Sequence, residues 1–405
     1  MKEKQPSSKF LTVVLVTLAC MLLFMLNNGV RSNFGLIATA IQSKTGLLAE
    51  NTSFAIAIAQ LLYGLSQPFF GVLALKKSNS FVLSLGGLLM AAGLLLIPVS
   101  TTPLMLNLSL GLLVGLAAGA LAFGVVMGAA TPTLGEKYAA TASGIINGGG
   151  GLGGAILAPA LQTMQDRGLF SMSMVVLSGV AGCVVIVSIW LGKRERLTES
   201  ELVQEEVPPI RSMLKEAFLS SQFIHLALAF FTCGFFMAII ETYLYPQLIG
   251  YGFDGTEVAF LFTIYGVMGM IGPMIAGFLC SKVNPKWVLG TTYGLRPMLI
   301  LLFLLLPKNT ISVYVFVVGL GLTGNATVPP TTLLIGKFFG NRKMPTLSGI
   351  AMVFHQIGSS ISTYLGGVLF VKTGDYIIIW ICGAIVAACA ALLCYTIRER
   401  KAAEM

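Results

Sequence analysis

The run FLTVVLVTLACMLLFML, residues 10–26, mixes Leu, Val, Met and Phe without a single charged side chain. A bilayer core about 30 Å thick needs about 20 apolar residues per helix, so this run predicts a membrane-spanning helix, which we extend to 10–42. Eleven comparable runs follow, at 52–75, 80–99, 103–131, 139–164, 169–191, 223–249, 258–280, 287–307, 311–335, 345–371 and 376–397. The sequence therefore predicts an all-α membrane protein with twelve transmembrane helices.

Composition indicates that lipid is the main solvent of this chain. Of its 405 residues, 56% are hydrophobic and 10% are charged, with a mean hydropathy of +0.88, more apolar sequence than a soluble globule buries. The alternating strand pattern of a membrane barrel is absent, so helices must satisfy the backbone polar groups. The seven cysteines are scattered singly, as packing residues. With no metal-ligand spacing, nucleotide motif or nucleophile–base pair, we expect no cofactor, no metal and no enzymatic activity.

The positive charges predict the orientation of the helices. An even number of spans places both termini on one side, and Lys and Arg mark the cytoplasmic side. Nineteen of the 25 Lys and Arg residues fall on the side of the termini, four fall on the other, and Arg31 and Arg296 lie inside spans. The net charge of +9 is thus a topology signal rather than a nucleic-acid footprint. We expect a multi-pass protein of the cell (inner) membrane with cytoplasmic termini, and we interpret 10–42 as a first helix rather than a cleaved signal peptide.

A polar stretch at 193–222 divides the chain into two related halves. It contains an acidic run and Pro208-Pro209, which is typical of a cytoplasmic linker, so we predict one six-helix bundle at 1–192 and another at 223–405. The halves repeat at an offset of about 205 residues: TASGI (141–145) matches TLSGI (346–350), and GVLALK (71–76) matches GFLCSK (277–282). Parallel repeats of this kind place a solute site near the midplane at their interface.

Glycines are concentrated where helices are expected to touch. Gly111, Gly115 and Gly119 form a ridge on helix four, and 148–154 is rich in glycine on helix five. In lipid, helices associate through small residues that let the backbones approach closely. We therefore predict close helix packing at both places, with a hinge on helix five as an additional role.

The two G-x-L-x-x-K turns, at 71–76 and 277–282, are similar to degenerate copies of the signature that the major facilitator superfamily carries after its second helix. The resemblance covers essentially the whole chain. It implies two pseudo-symmetric six-helix bundles and a secondary transporter that works by alternating access. Leu75 and Ser281 stand where the signature has Asp, so the family's charge-relay account of gating does not carry over.

Three stretches more specifically resemble the bacterial monocarboxylate-porter and oxalate:formate-antiporter branch. They are GVRSNFG (29–35), GLSQPFFG (64–71), and FHQIG (354–358) with YLGG (364–367). This resemblance implies a carrier for small organic anions, proton-coupled or exchanging. The eukaryotic monocarboxylate carriers place an Asp and an Arg on helix eight, where this chain has Gly269 and Gly272, so their proton mechanism does not transfer residue by residue.

Charged side chains inside spans are the first functional candidates, because each costs roughly 2.5–3.5 kcal/mol on insertion scales. Arg31 shares a face of helix one with Asn28, and its guanidinium matches a carboxylate bidentately. We predict that Arg31 binds the substrate or forms a gate; the alternative is an arginine that reaches the outer interface or caps a helix end. Arg296, about ten residues into helix nine, either pins helices together or reaches inward.

His355 and Glu241 are the candidates for proton coupling. His355 lies deep in helix eleven, and an unperturbed pKa of about 6.5 suits reversible protonation; a hydrogen-bonded packing residue is the alternative. Glu241, on helix seven, is the carboxylate expected well within a span. Its position toward the outer end leaves open that it is a solvated interfacial acid.

Uncharged polar residues inside the spans complete the predicted site. The predicted substrate-binding set is Asn28, Arg31, Gln60, Tyr63, Arg296, Asn325, His355 and Gln356, and the predicted proton-coupling residues are Glu241 and His355. Asn147 is a further polar candidate, and Pro329-Pro330 is expected to interrupt helix ten. Interhelical hydrogen bonding alone would also explain each uncharged polar residue.

The favoured function is a secondary carrier in which an arginine neutralises a small carboxylate while His355 or Glu241 exchanges a proton. The alternatives are an exporter of hydrophobic or cationic compounds and a non-transporting membrane sensor. The expected partners are a small-molecule solute, the lipid bilayer and protons, without nucleic acid, and we expect a monomer.

Overall fold

The computed structural model describes residues 6–198, 210–340 and 343–397. Its regular elements in these ranges are helical. The α-helices are α1 (Pro6–Ser32), α2 (Phe34–Thr45), α3 (Ala49–Lys76), α4 (Asn79–Leu96), α5 (Pro103–Leu106), α6 (Gly115–Ala120), α7 (Phe123–Asp166), α8 (Phe170–Thr198), α9 (Ile210–Leu219), α10 (Ser221–Ile239), α11 (Tyr245–Gly250), α12 (Gly255–Cys280), α13 (Pro285–Leu305), α14 (Thr310–Gly324), α15 (Val328–Phe339), α16 (Met344–Thr373) and α17 (Ile377–Thr396).

Eleven spans among the described residues are long and apolar enough to cross a membrane. The remaining predicted span, 345–371, corresponds to α16, whose 30 residues are sufficient in length. It is less apolar than the others because it carries His355, Gln356 and several Ser and Thr residues in its middle. Polar residues at such a depth face a helix interface or a hydrated pathway rather than lipid.

Two predicted boundaries differ from the structure. The first predicted span is divided at Asn33 into α1 and α2, and the side-chain amide of Asn33 donates to the carbonyls of Gly29 and Gly154. The short loop expected between 131 and 139 is helical backbone within α7; its residues include Leu, Glu and Lys, which favour helix, together with Pro132 and Gly135, which do not. The acidic run and Pro208-Pro209 of the predicted linker lie outside the described residues.

Three spans change helix type part-way. Span 103–134 passes from α5 through a π-helical segment, Asn107–Val114, into α6 and then α7. Span 221–250 passes from α10 through a π-helical turn, Ile240–Leu244, into α11. Span 310–339 is broken by a 3₁₀ turn, Asn325–Thr327, after which α15 starts with Pro329 in its first turn. Such irregularities free backbone groups and are frequent at functional sites.

The helices form two compact units. The first comprises Met1–Gln204 and Glu241–Gly266, and the second comprises Glu205–Ile240 and Val267–Met405. The division at 192 and 223 into six-helix halves remains a prediction based on the sequence repeat.

Each unit contains a close helix pair that depends on glycine, and the two pairs are related by the predicted offset. In the first unit, a Cβ on Gly29 would lie 2.9 Å from the backbone of Gly153, so α1 and α7 touch there. In the second unit, Gly234 and Gly358 bring α10 and α16 together in the same way. These residues follow Gly29 and Gly153 by 205 positions, so the internal repeat is a repeat of packing as well as of sequence.

Candidate functional site

Arg31 is buried at the end of α1, close to the break at Asn33. It lies in the last turn of the helix, where a cation is favoured by the partial negative charge of the helix C-terminus. The residue is 6% exposed. A guanidinium at such a site must find acceptors inside the protein, because an unpaired buried charge is strongly destabilising.

The acceptors come from three helical segments. Arg31 donates from Nη1 to Asn28 Oδ1 over 3.2 Å and from Nη2 to Gln60 Oε1 over 2.9 Å. Gln60 in turn donates from Nε2 to Glu241 Oε2 over 3.1 Å. The same carboxylate oxygen lies 3.9 Å from Arg31 Nη2, so the charges form an ion pair bridged by an amide.

Tyr63 covers the guanidinium. Its ring centroid lies 4.0 Å from Arg31 Cζ, a distance at which a cation is attracted to the ring face. Gln60 and Tyr63 are three residues apart on α3, so they present their side chains to the same side of that helix. Arg31 Nε has no protein acceptor among the described residues, so its N–H is available to another acceptor.

Glu241 lies on the π-helical turn Ile240–Leu244, and only 6% of its surface is exposed. The structure thus places it inside the protein and not at a solvated interface. A π-helical turn shifts the helical register, which here directs the carboxylate toward α1 and α3. The predicted residues Asn28, Arg31, Gln60, Tyr63 and Glu241 therefore form one network in the first unit, which is buried except for the half-buried Asn28.

Arg296, in the second unit, makes different contacts. It is fully buried, and its Nη2 donates to the carbonyls of Thr323 and Gly324, each over 2.8 Å. Phe236 and Tyr293 lie 4.5 and 5.0 Å from Cζ. Because Thr323 and Gly324 end α14 at the broken span, Arg296 stabilises a helix C-terminus and holds helices together.

His355 lies half-buried on α16. Its ring is 5.1 Å from that of Phe230, and its Nδ1 is 3.1 Å from Gln356 Nε2. Gln356 itself is buried. Asn325 is half-buried at the 3₁₀ turn, with its amide 3.9 Å from the position a Cβ would take on Gly269. Of the other polar candidates, Asn147 is exposed.

Sequence reasoning missed two residues with structural roles at these sites. Cys233 was interpreted only as a packing residue, yet its thiol contacts Thr327 Oγ1 at 3.1 Å and Arg296 Nη2 at 3.6 Å. Cys233 follows Asn28 by 205 residues, the offset of the sequence repeat, and this equivalence to a predicted site residue could have identified it. Gln162 accepts a hydrogen bond from the Tyr245 hydroxyl and donates to Asp166 over 2.7 Å; no pattern in the sequence marked it.

Comparisons with known proteins agree with this architecture. The family model described as Major Facilitator Superfamily matches residues 17–252 and 244–404. An uncharacterized MFS-type transporter of Bacillus subtilis, YcxA, is 24% identical over 336 residues, covering 81% of each chain. Human monocarboxylate transporter 12 is 26% identical, covering 80% of this chain and 68% of its own length. Rat monocarboxylate transporter 13 is 25% identical, covering 86% and 80%.

Solved structures share the fold at low sequence identity. A bacterial homologue of the human lysosomal transporter Spinster, in an inward-facing and unoccupied conformation, has a TM-score of 0.78 at 15% identity, covering 97% of both chains. A mutant form of the nucleoside transporter NupG has a TM-score of 0.77 at 12% identity, covering 94% of this chain and 99% of NupG. Because the family model accounts for nearly every described span, this chain belongs to the major facilitator superfamily and is a multi-pass membrane transporter, not an enzyme.

Proposed function

We propose that this chain is a secondary active transporter of a small organic anion of the monocarboxylate class, coupled to protons and working by alternating access. The observation that carries the proposal is the buried network of Arg31, Gln60 and Glu241. Relatives named monocarboxylate transporters 12 and 13 support the substrate class.

Charge balance connects the anion to the proton. Arg31 and Glu241 together are neutral, so a solute carboxylate that binds Arg31 adds one negative charge to a buried site. An uncompensated buried charge costs several kcal/mol. Protonation of Glu241 removes that cost, because the proton neutralises one of the two carboxylates that share the guanidinium. The loaded site then carries the same net charge as the empty one.

The guanidinium suits the solute's carboxylate group. When Glu241 is protonated, its attraction to Nη2 weakens, and Nη2 and the unpartnered Nε lie on one edge of the guanidinium plane. Two parallel N–H groups on such an edge match the two oxygens of a carboxylate. Tyr63 fixes the plane of the guanidinium, so the orientation of the bound anion is fixed as well.

The test is uptake of radiolabelled small monocarboxylates into proteoliposomes. We expect saturable uptake that an inward proton gradient stimulates. Arg31→Gln should reduce it at least 100-fold, because the variant lacks the charge that holds the anion. Arg167→Gln is the matched control, since Arg167 is exposed; it should transport as the wild type does.

Glu241→Gln separates coupling from binding. The variant mimics a permanently protonated acid, so it should lose stimulation by the proton gradient and keep part of its solute–solute exchange. Glu257→Gln, on the first turn of α12, is the control and should remain coupled. Failure of every acid to enter wild-type vesicles would overturn the proposal and favour an exporter or a sensor.

A further inference from the structure

Gln60 occupies an unusual place in the network, because both ends of one amide are used between opposite charges. Its Oε1 accepts from Arg31 and its Nε2 donates to Glu241. The residue is completely buried. We infer that Gln60 is a positioning residue that changes its hydrogen-bond partners when Glu241 is protonated and thereby makes Arg31 available to the solute. This inference rests on the proposed function.

The chemistry of the amide allows this exchange. A primary amide has two donors on nitrogen and an acceptor oxygen. With Glu241 ionised, the carboxylate can only accept, so it takes the Nε2 hydrogen while Oε1 serves Arg31. With Glu241 protonated, its hydroxyl becomes a donor, and the amide of Gln60 can turn over so that Oε1 accepts from it. Nε2 then faces Arg31, a donor meets a donor, and Arg31 Nη2 loses its bond to Gln60 and can bind the solute's carboxylate.

Gln60 must move its side chain and not its helix. A Cβ on Gly115 would lie 2.8 Å from Ala59 Cα, so the backbone of α3 next to Gln60 is held against α6. Arg31 from α1 and Tyr63 from α3 are charged and titratable groups that lie near Glu241. Neither can replace the amide, because Arg31 has no acceptor atom and the Tyr63 ring packs on the guanidinium.

Among unbranched side chains of this length, only glutamine offers a neutral donor and a neutral acceptor at its end. Leucine has a similar volume but neither donor nor acceptor, so Gln60→Leu would leave Arg31 and Glu241 to pair directly. A direct ion pair is stronger and harder for the solute to open. Protonation of Glu241 would then no longer change the hydrogen bonds of the side chain at position 60, and Arg31 would not be released.

The experiment compares Gln60→Leu with Gln67→Leu, the same change two turns further along α3 and outside the network. Two rates are measured in proteoliposomes for each protein: uptake driven by a proton gradient and exchange between equal solute concentrations. The ratio of driven uptake to exchange should fall at least tenfold in Gln60→Leu. It should not change in Gln67→Leu. Thermal unfolding in detergent shows that each variant is folded.

Gln60→Asn provides a second arm. Asparagine keeps the amide but is one methylene shorter, so it should recover part of the ratio if the amide is what matters. A ratio in Gln60→Leu equal to that of the wild type would overturn the role of Gln60 while leaving the proposed function intact. Absence of proton-driven uptake in the wild type would instead overturn the proposed function. If Gln60→Leu does not fold, Gln60→Met takes its place: a wild-type ratio in that variant, whose side chain has no amide, contradicts the inference.

Discussion

Arg31 and Arg296 are both buried, but they are stabilised in different ways. Arg31 shares its charge with Glu241 through an amide, an arrangement in which either charge can change partner. Arg296 is bonded to main-chain carbonyls at the end of α14. Carbonyls do not titrate, and they move only if the helix does. The geometry therefore favours a substrate role for Arg31 and a structural role for Arg296.

Replacement of Arg296 should consequently weaken the fold more than transport. Arg296→Gln loses two charge-assisted hydrogen bonds at about 1.5–3 kcal/mol each, partly recovered by the new amide, so we expect a loss of about 3 kcal/mol and a lower unfolding midpoint. The KM for the solute should stay within about threefold of the wild-type value. Thermal unfolding in detergent and uptake in proteoliposomes test these two points. A tenfold rise in KM at an unchanged midpoint would make Arg296 a substrate-binding residue.

Sequence reasoning could single out the residues of the buried network but not their connections. Arg31, Gln60, Tyr63 and Glu241 each stand out as polar side chains inside apolar runs. Gln60 is 29 residues from Arg31 and 181 from Glu241, and only helix packing brings them together. Periodicity relates residues within one helix, so it could pair Arg31 with Asn28 and nothing more distant.

At the scale of helices, glycine content in the sequence predicted where helices pack closely, whereas the irregular helical turns could not be predicted. The runs of glycine predicted close packing, and α1 does contact α7 where glycines meet. The π-helical turn that carries Glu241 was not predicted, because nothing in its sequence, IETYL, distinguishes it from an α-helix. A π-helical turn depends on the neighbours that its side chains reach, and single-chain propensities do not contain that information.

Two glycines of α7 should respond oppositely to alanine. A Cβ on Gly153 would overlap the carbonyl oxygen of Met25, whereas a Cβ on Gly144 meets nothing within 4 Å. Gly153→Ala must push α1 away, so we expect little folded protein after size-exclusion chromatography. Gly144→Ala should raise stability by up to about 1 kcal/mol, because alanine favours helix over glycine. Equal yields and midpoints for the two variants would contradict the close contact of α1 with α7.

At the scale of the whole molecule, the sequence repeat and the packing repeat have the same offset. Gly29 with Gly153 and Gly234 with Gly358 occupy equivalent positions in the two units. The chemistry of the units nevertheless differs, since Asn28 is matched by Cys233 and Arg31 by Phe236 at that offset. The repeat thus preserves the contacts that hold helices together, while the polar residues at these equivalent positions have diverged.

Orientation in the membrane is the property of the whole molecule that charge alone predicts. The turn between α12 and α13 carries Lys282 and should face the cytoplasm, and the turn between α13 and α14 should face outside. Ser281 and Thr310 are exposed at these two turns, so Ser281→Cys and Thr310→Cys give a matched pair. In intact cells, a membrane-impermeant maleimide should label the Thr310 variant and not the Ser281 variant, with the wild-type chain as the blank. Disruption of the cells should make both equally reactive, and the reverse pattern before disruption would place the termini outside.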